Sequence, residues 1–174
     1  MAIITTLVVL KWGPFCDFKN WTYLFLILAA DTPVRTGYLQ HRKSKKCLQP
    51  KESIVDNGVQ DGTPLVLQGG DCYQEISLFR LMSSGLVRHV ASAKCLCPPN
   101  LVARPSVSDK VVFHSKCNST ICSFRYFPPG LLQHNLSSAC LNLKDLTDPA
   151  DNSEIYFKSD CANSNWRAFS FLGM

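Results

Sequence analysis

A twelve-residue phrase, Gly-x-Leu/Val-x-His-x-x-Ser-x-x-Cys-Leu, occurs three times in this chain, at residues 37–48, 85–96 and 130–141. Its fixed positions are Gly37, His41, Ser44 and Cys47, then Gly85, His89, Ser92 and Cys95, then Gly130, His134, Ser137 and Cys140. The copies begin 48 and then 45 residues apart. Self-similarity at a period of this size means one supersecondary unit used repeatedly, each copy needing its neighbours to bury its apolar face. Residues that recur in every copy answer first to the fold. Function is to be sought where the copies differ.

Each phrase is followed by a polar loop, a short apolar strand, a second cysteine and an aromatic residue. The first copy has Leu65, Val66 and Leu67, then Cys72 and Phe79. The second has Val111, Val112 and Phe113, then Cys117 and Phe124, and the third has Ile155, Tyr156 and Phe157, then Cys161 and Phe169. The three phenylalanines are each 45 residues apart. Short β-branched and aromatic runs bounded by Gly, Pro, Asn and Asp read as strands. Segments 51–64, 98–110 and 145–153 carry turn chemistry. No window longer than ten residues has convincing helical periodicity. Each repeat therefore reads as about four short strands, roughly twelve in all.

Three such units resemble a β-trefoil, and the pattern is similar to that of the ricin B-type lectin domains. Gly37, Cys47, Cys72 and Phe79 carry the resemblance with their equivalents, over residues 34–172. The expected fold is all-β, a β-trefoil of three internal repeats stapled by intra-repeat disulfides. The family's Gln-x-Trp step is replaced here by Ser77-Leu-Phe79, Cys122-Ser-Phe124 and Arg167-Ala-Phe169. The resemblance implies that these aromatics fill the core, where phenylalanine packs in place of tryptophan.

Nine cysteines are many for a reducing compartment, and their regular placement points to a secreted or extracellular protein. The repeat suggests Cys47–Cys72, Cys95–Cys117 and Cys140–Cys161. A bridge of that span stabilises by roughly 3 kcal/mol in a chain-entropy description. Cys97 and Cys122 flank the second pair and are expected to join locally, with the exchange Cys95–Cys122 and Cys97–Cys117 left open. Cys16 then has no partner unless one lies upstream. Zinc is disfavoured, because Cys95-x-Cys97 lacks the usual ligand spacing. The sequons at Asn20, Asn118 and Asn135 agree with an extracellular setting, and Asn118 and Asn135 are the candidate glycosylation sites.

The ordered domain is expected at 34–174, preceded by an N-terminal segment 1–33 that reads in two ways. A signal peptide would use Lys11 and Lys19 as its basic flank and 21–30 as its apolar region, but Leu28 fits the cleavage rule poorly. The tail of a preceding repeat is the other reading. Cys16 and Trp21 have the same five-residue spacing as Cys161 and Trp166. On that reading the chain is part of a larger protein.

Apolar residues make up 46% and charged residues 18%, a globular profile without any run of 18 apolar residues, so no membrane span is expected. The net charge of +5 is modest. Its only dense source is Arg42, Lys43, Lys45 and Lys46, with Lys51 nearby. That run is a candidate grip for sulfated polyanions against the plainer reading of a solvated turn. It lacks the aromatic interleaving of a nucleic-acid surface.

No catalytic arrangement stands out, and no cofactor is expected. The three histidines occupy one repeated slot, so satisfied core imidazoles outweigh a three-nitrogen metal site. Ser44, Ser92 and Ser137 recur beside them without a recurring carboxylate to complete a nucleophilic triad. The resemblance implies carbohydrate binding, with glycans or glycoproteins as partners and a carboxylate two residues after the first cysteine of each repeat. Those positions hold Gln49, Cys97 and Asn142. Copy two is therefore expected to be inactive. Gln49, Gln68, Asp71 and Tyr73 are the candidates in copy one, and Asn142, Asp160, Asn163, Asn165 and Trp166 in copy three. The alternative is a structural or protein-binding trefoil, part of a larger extracellular protein, whose sugar sites have decayed.

Overall fold

The computed structural model describes residues 31–51, 58–127, 130–144, 149–161 and 169–173. Cys16, Asn20 and the two readings of segment 1–33 lie outside them, apart from its last three residues. The unit that begins at Asp31 carries twelve strands among the described residues. Repeat one has β1 (Pro33–His41), β2 (Cys47–Pro50), β3 (Leu65–Gln68) and β4 (Leu78–Met82). Repeat two has β5 (Val87–His89), β6 (Cys95–Cys97), β7 (Val112–His114) and β8 (Phe124–Phe127). Repeat three has β9 (Leu131–His134), β10 (Cys140–Leu143), β11 (Ser153–Lys158) and β12 (Phe169–Gly173). Helix is confined to two single 3₁₀ turns among these residues, Glu75–Ser77 and Pro99–Leu101.

The strands form a β-trefoil. β1 pairs with β4 and β12, β4 with β5, and β8 with β9. A bridge from Leu86 to Ser123 and a 2.6 Å bond from the Phe169 N–H to the Gly130 carbonyl complete this six-stranded barrel. Among the described residues each of the six strands thus has a partner on both sides, which limits edges open to foreign pairing. The hairpins β2–β3, β6–β7 and β10–β11 cap one end. They meet through the β11–β3 ladder and the bridges Pro64–Val112 and Lys110–Tyr156. Phe79, Phe124 and Phe169 are buried between barrel and cap with Leu65, Phe113 and Phe157, so phenylalanine does fill the aromatic slot.

The repeated phrase is a packing device. Gly37, Gly85 and Gly130 each lie opposite the aromatic of their own repeat. A Cβ on Gly130 would stand 2.3 Å from the Phe169 carbonyl oxygen, at a φ of +135°. Only glycine combines that backbone conformation with so close an approach. Each histidine faces the aromatic of the preceding repeat: His89 on Phe79, His134 on Phe124, and His41 on Phe169, which closes the ring.

All three imidazoles bond the serine three residues on, Nδ1 to Oγ at 2.8 Å. The Nε2–H of His89 donates to the Ile76 carbonyl at 2.8 Å, and that of His134 to the Ile121 carbonyl at 2.5 Å. The serine Oγ in turn accepts the backbone N–H of Lys46, Lys94 or Ala139. Lys45, Ala93 and Ser138 take positive φ in the same turn. With both ring nitrogens of His89 and His134 engaged, neither can ligate a metal. Burial pushes both imidazoles below their ordinary pKa, against the opposing pull of the carbonyl bonds.

Among the described residues the disulfides are Cys47–Cys72, Cys95–Cys117, Cys97–Cys122 and Cys140–Cys161. The exchanged pairing of repeat two is not adopted.

Candidate functional site

The cap hairpins present the positions at which the three copies differ. On each, the residue two after the first cysteine shares a face with the residue closing the inner strand. These pairs are Gln49 with Gln68, Cys97 with His114, and Asn142 with Lys158. Cys97 is buried and bridged to Cys122, which removes repeat two from consideration.

In repeat one Asp71 and Tyr73 make local contacts. The Asp71 carboxylate accepts the Tyr73 backbone N–H at 2.9 Å, an Asx turn. Tyr73 is 64% exposed and meets Tyr38 edge-on, with ring centroids 5.2 Å apart. Gln49 and Gln68 are half-buried in their strands.

Repeat three is different. A shallow recess of about 260 Å³ is lined by Asn142, Leu143 and Lys144 from β10 and its end, and by Lys158, Ser159 and Asp160 from the end of β11. Val107, from the loop of repeat two, supplies the facing wall. The structure thus brings together two of the sequence candidates, Asn142 and Asp160. Asn142 forms the floor at 2% exposure, its Oδ1 accepting the Leu143 N–H at 2.8 Å. Asn163, Asn165 and Trp166 lie outside the described residues. Lys144 and Lys158 form no ion pair among the described residues, whereas Lys46, Lys51, Lys94 and Lys110 each hold a carboxylate.

Sequence reasoning missed Val107, Lys144, Lys158 and Ser159. The missed signal lies in the loop before each inner hairpin strand. Turns 60–63, 106–109 and 150–153 are each closed by a backbone N–H to carbonyl bond, at 3.2, 3.0 and 3.3 Å. Each docks on the next repeat: Gly62 donates to the Phe113 carbonyl, Phe157 to that of Asp109, and Asn152 to that of Leu67. The second residue of the turn is Asp61, Val107 and Asp151 respectively.

Both aspartates act as buttresses between repeats. Asp61 accepts the Ser115 N–H at 2.8 Å and its O–H at 2.7 Å, pairs with Lys94, and lies 3.5 Å from His114 Nδ1. Asp151 accepts the Gly69 N–H at 2.9 Å and pairs with Lys46 at 2.6 Å. The Lys94 hydrogen bond and then those from Ser115 hold the Asp61 carboxyl well below the usual range. Asp151 is lowered by Lys46 and then by the Gly69 amide. Val107 has no acceptor to offer, is 50% exposed, and has Ala139 where the other copies have Lys46 and Lys94.

The basic run is divided. Lys46 is tied to Asp151 and Lys51 to Glu154 at 2.8 Å, while Arg42, Lys43 and Lys45 are exposed on the β1–β2 turn. Burial pushes the Glu154 carboxyl up, but bonds from Lys110, Lys51 and Tyr156 outweigh it and hold it at about 2. The two sequons also differ. Asn118 is exposed, whereas Asn135 donates its Nδ2 to Ser123 Oγ at 2.7 Å.

No protein-family model matches the chain, and a search of curated proteins finds no match either. Solved structures do match. The solution structure of the mdaA-1 domain superposes with a TM-score of 0.66 at 15% identity, over 82% of this chain and 92% of that one. A designed threefold-symmetric protein, ThreeFoil, gives 0.66 at 16% identity, over 80% and 99%. The agglutinin from Abrus precatorius gives 0.61 at 16% identity, over 78% of this chain and 47% of the agglutinin, so this chain spans about half its length. At these identities the likeness is one of fold, the ricin B-like β-trefoil.

Proposed function

We propose that this chain is a non-enzymatic carbohydrate-recognition module that binds glycans at the recess of the third repeat. One observation carries the reading: Asn142 and Asp160 converge there with Ser159 and two lysines, beside the apolar wall of Val107. A shallow site of that make-up suits a sugar, whose hydroxyls need fixed polar partners and whose C–H face needs apolar surface. The lectin-type β-trefoils of similar fold support the same function class, and four disulfides suit a protein that works in an oxidising, extracellular setting.

A glycan array probed with oxidised protein tests the reading. Retention on some glycans, lost in Asn142→Ala and Asp160→Ala with thermal stability kept, is the expected result. Retention on none, or retention indifferent to both substitutions, sinks it. A weaker polyanion contact through Arg42, Lys43 and Lys45 is a separate matter. Elution from a heparin column below physiological salt would remove it.

A further inference from the structure

We propose that the recess beside Val107 receives the carboxylate of an acidic saccharide on the Ser159 N–H and O–H and the Lys158 ammonium. This rests on the carbohydrate reading above and narrows its ligand class.

The protein contains its own template for the interaction. In repeat two the group seated at the corresponding place is a carboxylate, that of Asp61. It is held by the Lys94 ammonium and by the N–H and the O–H of Ser115, with the His114 ring alongside. In repeat three the serine recurs as Ser159 and Lys158 stands at the position of His114, so that Lys158 supplies the cation where Ala139 has replaced Lys94. The carboxylate does not recur, because the turn from the neighbouring repeat brings Val107. No group among the described residues accepts the Ser159 N–H, whereas Gly69 and Ser115 each give theirs to an aspartate. A planar acceptor with two oxygens suits two convergent donors and a cation.

Charge supports the same ligand. Two lysines, Lys144 and Lys158, line the recess against one carboxylate, Asp160, a balance of +1. The remaining walls suit a sugar rather than a bare anion. Asn142 at the floor offers an amide, and the half-exposed Val107 offers apolar surface for a pyranose face.

The test uses oxidised protein on an array pairing uronic-acid-terminated glycans with their carboxyl-reduced counterparts, and amide NMR shifts with methyl glucuronide, methyl glucoside and acetate. The acid form should bind about tenfold or more tightly than the reduced form, the worth of one or two charge-assisted hydrogen bonds. The Ser159 amide should shift with methyl glucuronide well below the concentration at which acetate moves it. Val107→Asp supplies the carboxylate from within, as Asp61 does, and should erase the preference for acid glycans. Lys158→Gln, which installs the residue of repeat one, should reduce it without affecting the Val107 turn.

Equal binding of acid and reduced forms overturns the carboxylate inference and leaves the glycan reading standing. Acetate as effective as the glucuronide overturns the saccharide class. An acid preference untouched by both substitutions moves the site elsewhere and also overturns it. Retention of no glycan at all defeats this inference together with the reading beneath it.

Discussion

Replacing His134 with leucine should cost about 3 kcal/mol of folding stability, mostly through the two groups it leaves without partners. The imidazole is fully buried, accepts from Ser137 Oγ at 2.8 Å and donates to the Ile121 carbonyl at 2.5 Å. Leucine fills most of the volume and restores neither bond. A part-buried hydroxyl or carbonyl without its partner costs about 1–3 kcal/mol, and the edge-on ring contacts with Phe124 and Phe157 add roughly 0.5–1.5 kcal/mol. Ser137→Ala alone should cost about 1 kcal/mol, because it removes one bond to the ring and the acceptor for the Ala139 N–H. The double variant should be less destabilised than the sum by about 1 kcal/mol, since the hydroxyl orphaned in the single variant is then gone. Urea unfolding followed by far-UV circular dichroism, at neutral pH with disulfides intact, measures all three. A loss below 1 kcal/mol for His134→Leu, or strict additivity, would refute the assignment of this repeated pair to the fold.

Three further outcomes follow from the same structure. His89 and His134 are held neutral by burial, so the unfolded chain binds more protons once pH falls through its ordinary histidine range near 6.5. Their contribution is complete above that pH and declines below it, by at most about 1.4 kcal/mol per pH unit for each ring. The thermal midpoint should fall between pH 7.5 and 5.5, and a flat or rising midpoint would contradict the burial argument. Expression through a secretory pathway with N-glycosylation should place glycan on Asn118 and little on Asn135, whose Nδ2 is held by Ser123; peptide mass mapping reads the occupancy. Replacing Cys97 and Cys122 with serine opens a loop whose ends are 25 residues apart. The loss should be about 3 kcal/mol in calorimetry, with the other three bridges unchanged.

The architecture could be read from residues because the fold is repeated three times over. One histidine with a serine three residues on is uninformative, but three at equal spacing identify a turn. The same logic found the cysteine pairs and the buried Phe79, Phe124 and Phe169. The site could be read only in part. Asn142 and Asp160 stood out as polar residues beside a cysteine, yet nothing in the sequence distinguished them from Asp71, whose carboxylate turns back on its own backbone. Val107 was invisible for a different reason. Its significance is the lack of an aspartate, and that lack shows only once turns 60–63, 106–109 and 150–153 are aligned by their hydrogen bonds. The loops before them differ in length and composition, so the turns hold no fixed spacing from the cysteines.

The two kinds of repeated contact differ in what their loss would cost, and this accounts for where the symmetry breaks. The histidine–serine pair is buried, so losing either partner in any copy leaves orphaned polar groups. The aspartate buttress lies at the surface, where an ion pair contributes about 1 kcal/mol or less and water replaces the missing acceptor. A chain can therefore give up one buttress cheaply and gain a surface with unassigned donors. Repeat two offers the converse case. Asp61→Val should uncover Ser115 and His114 as Val107 leaves Ser159 and Lys158 uncovered, while stability falls by no more than about 1 kcal/mol. Its Ser115 amide should then begin to shift with added methyl glucuronide, more weakly than Ser159 because Cys97 offers no amide at the floor. A loss of several kcal/mol would show the buttress to be integral to the fold. It would also remove the explanation for why the third repeat can do without it.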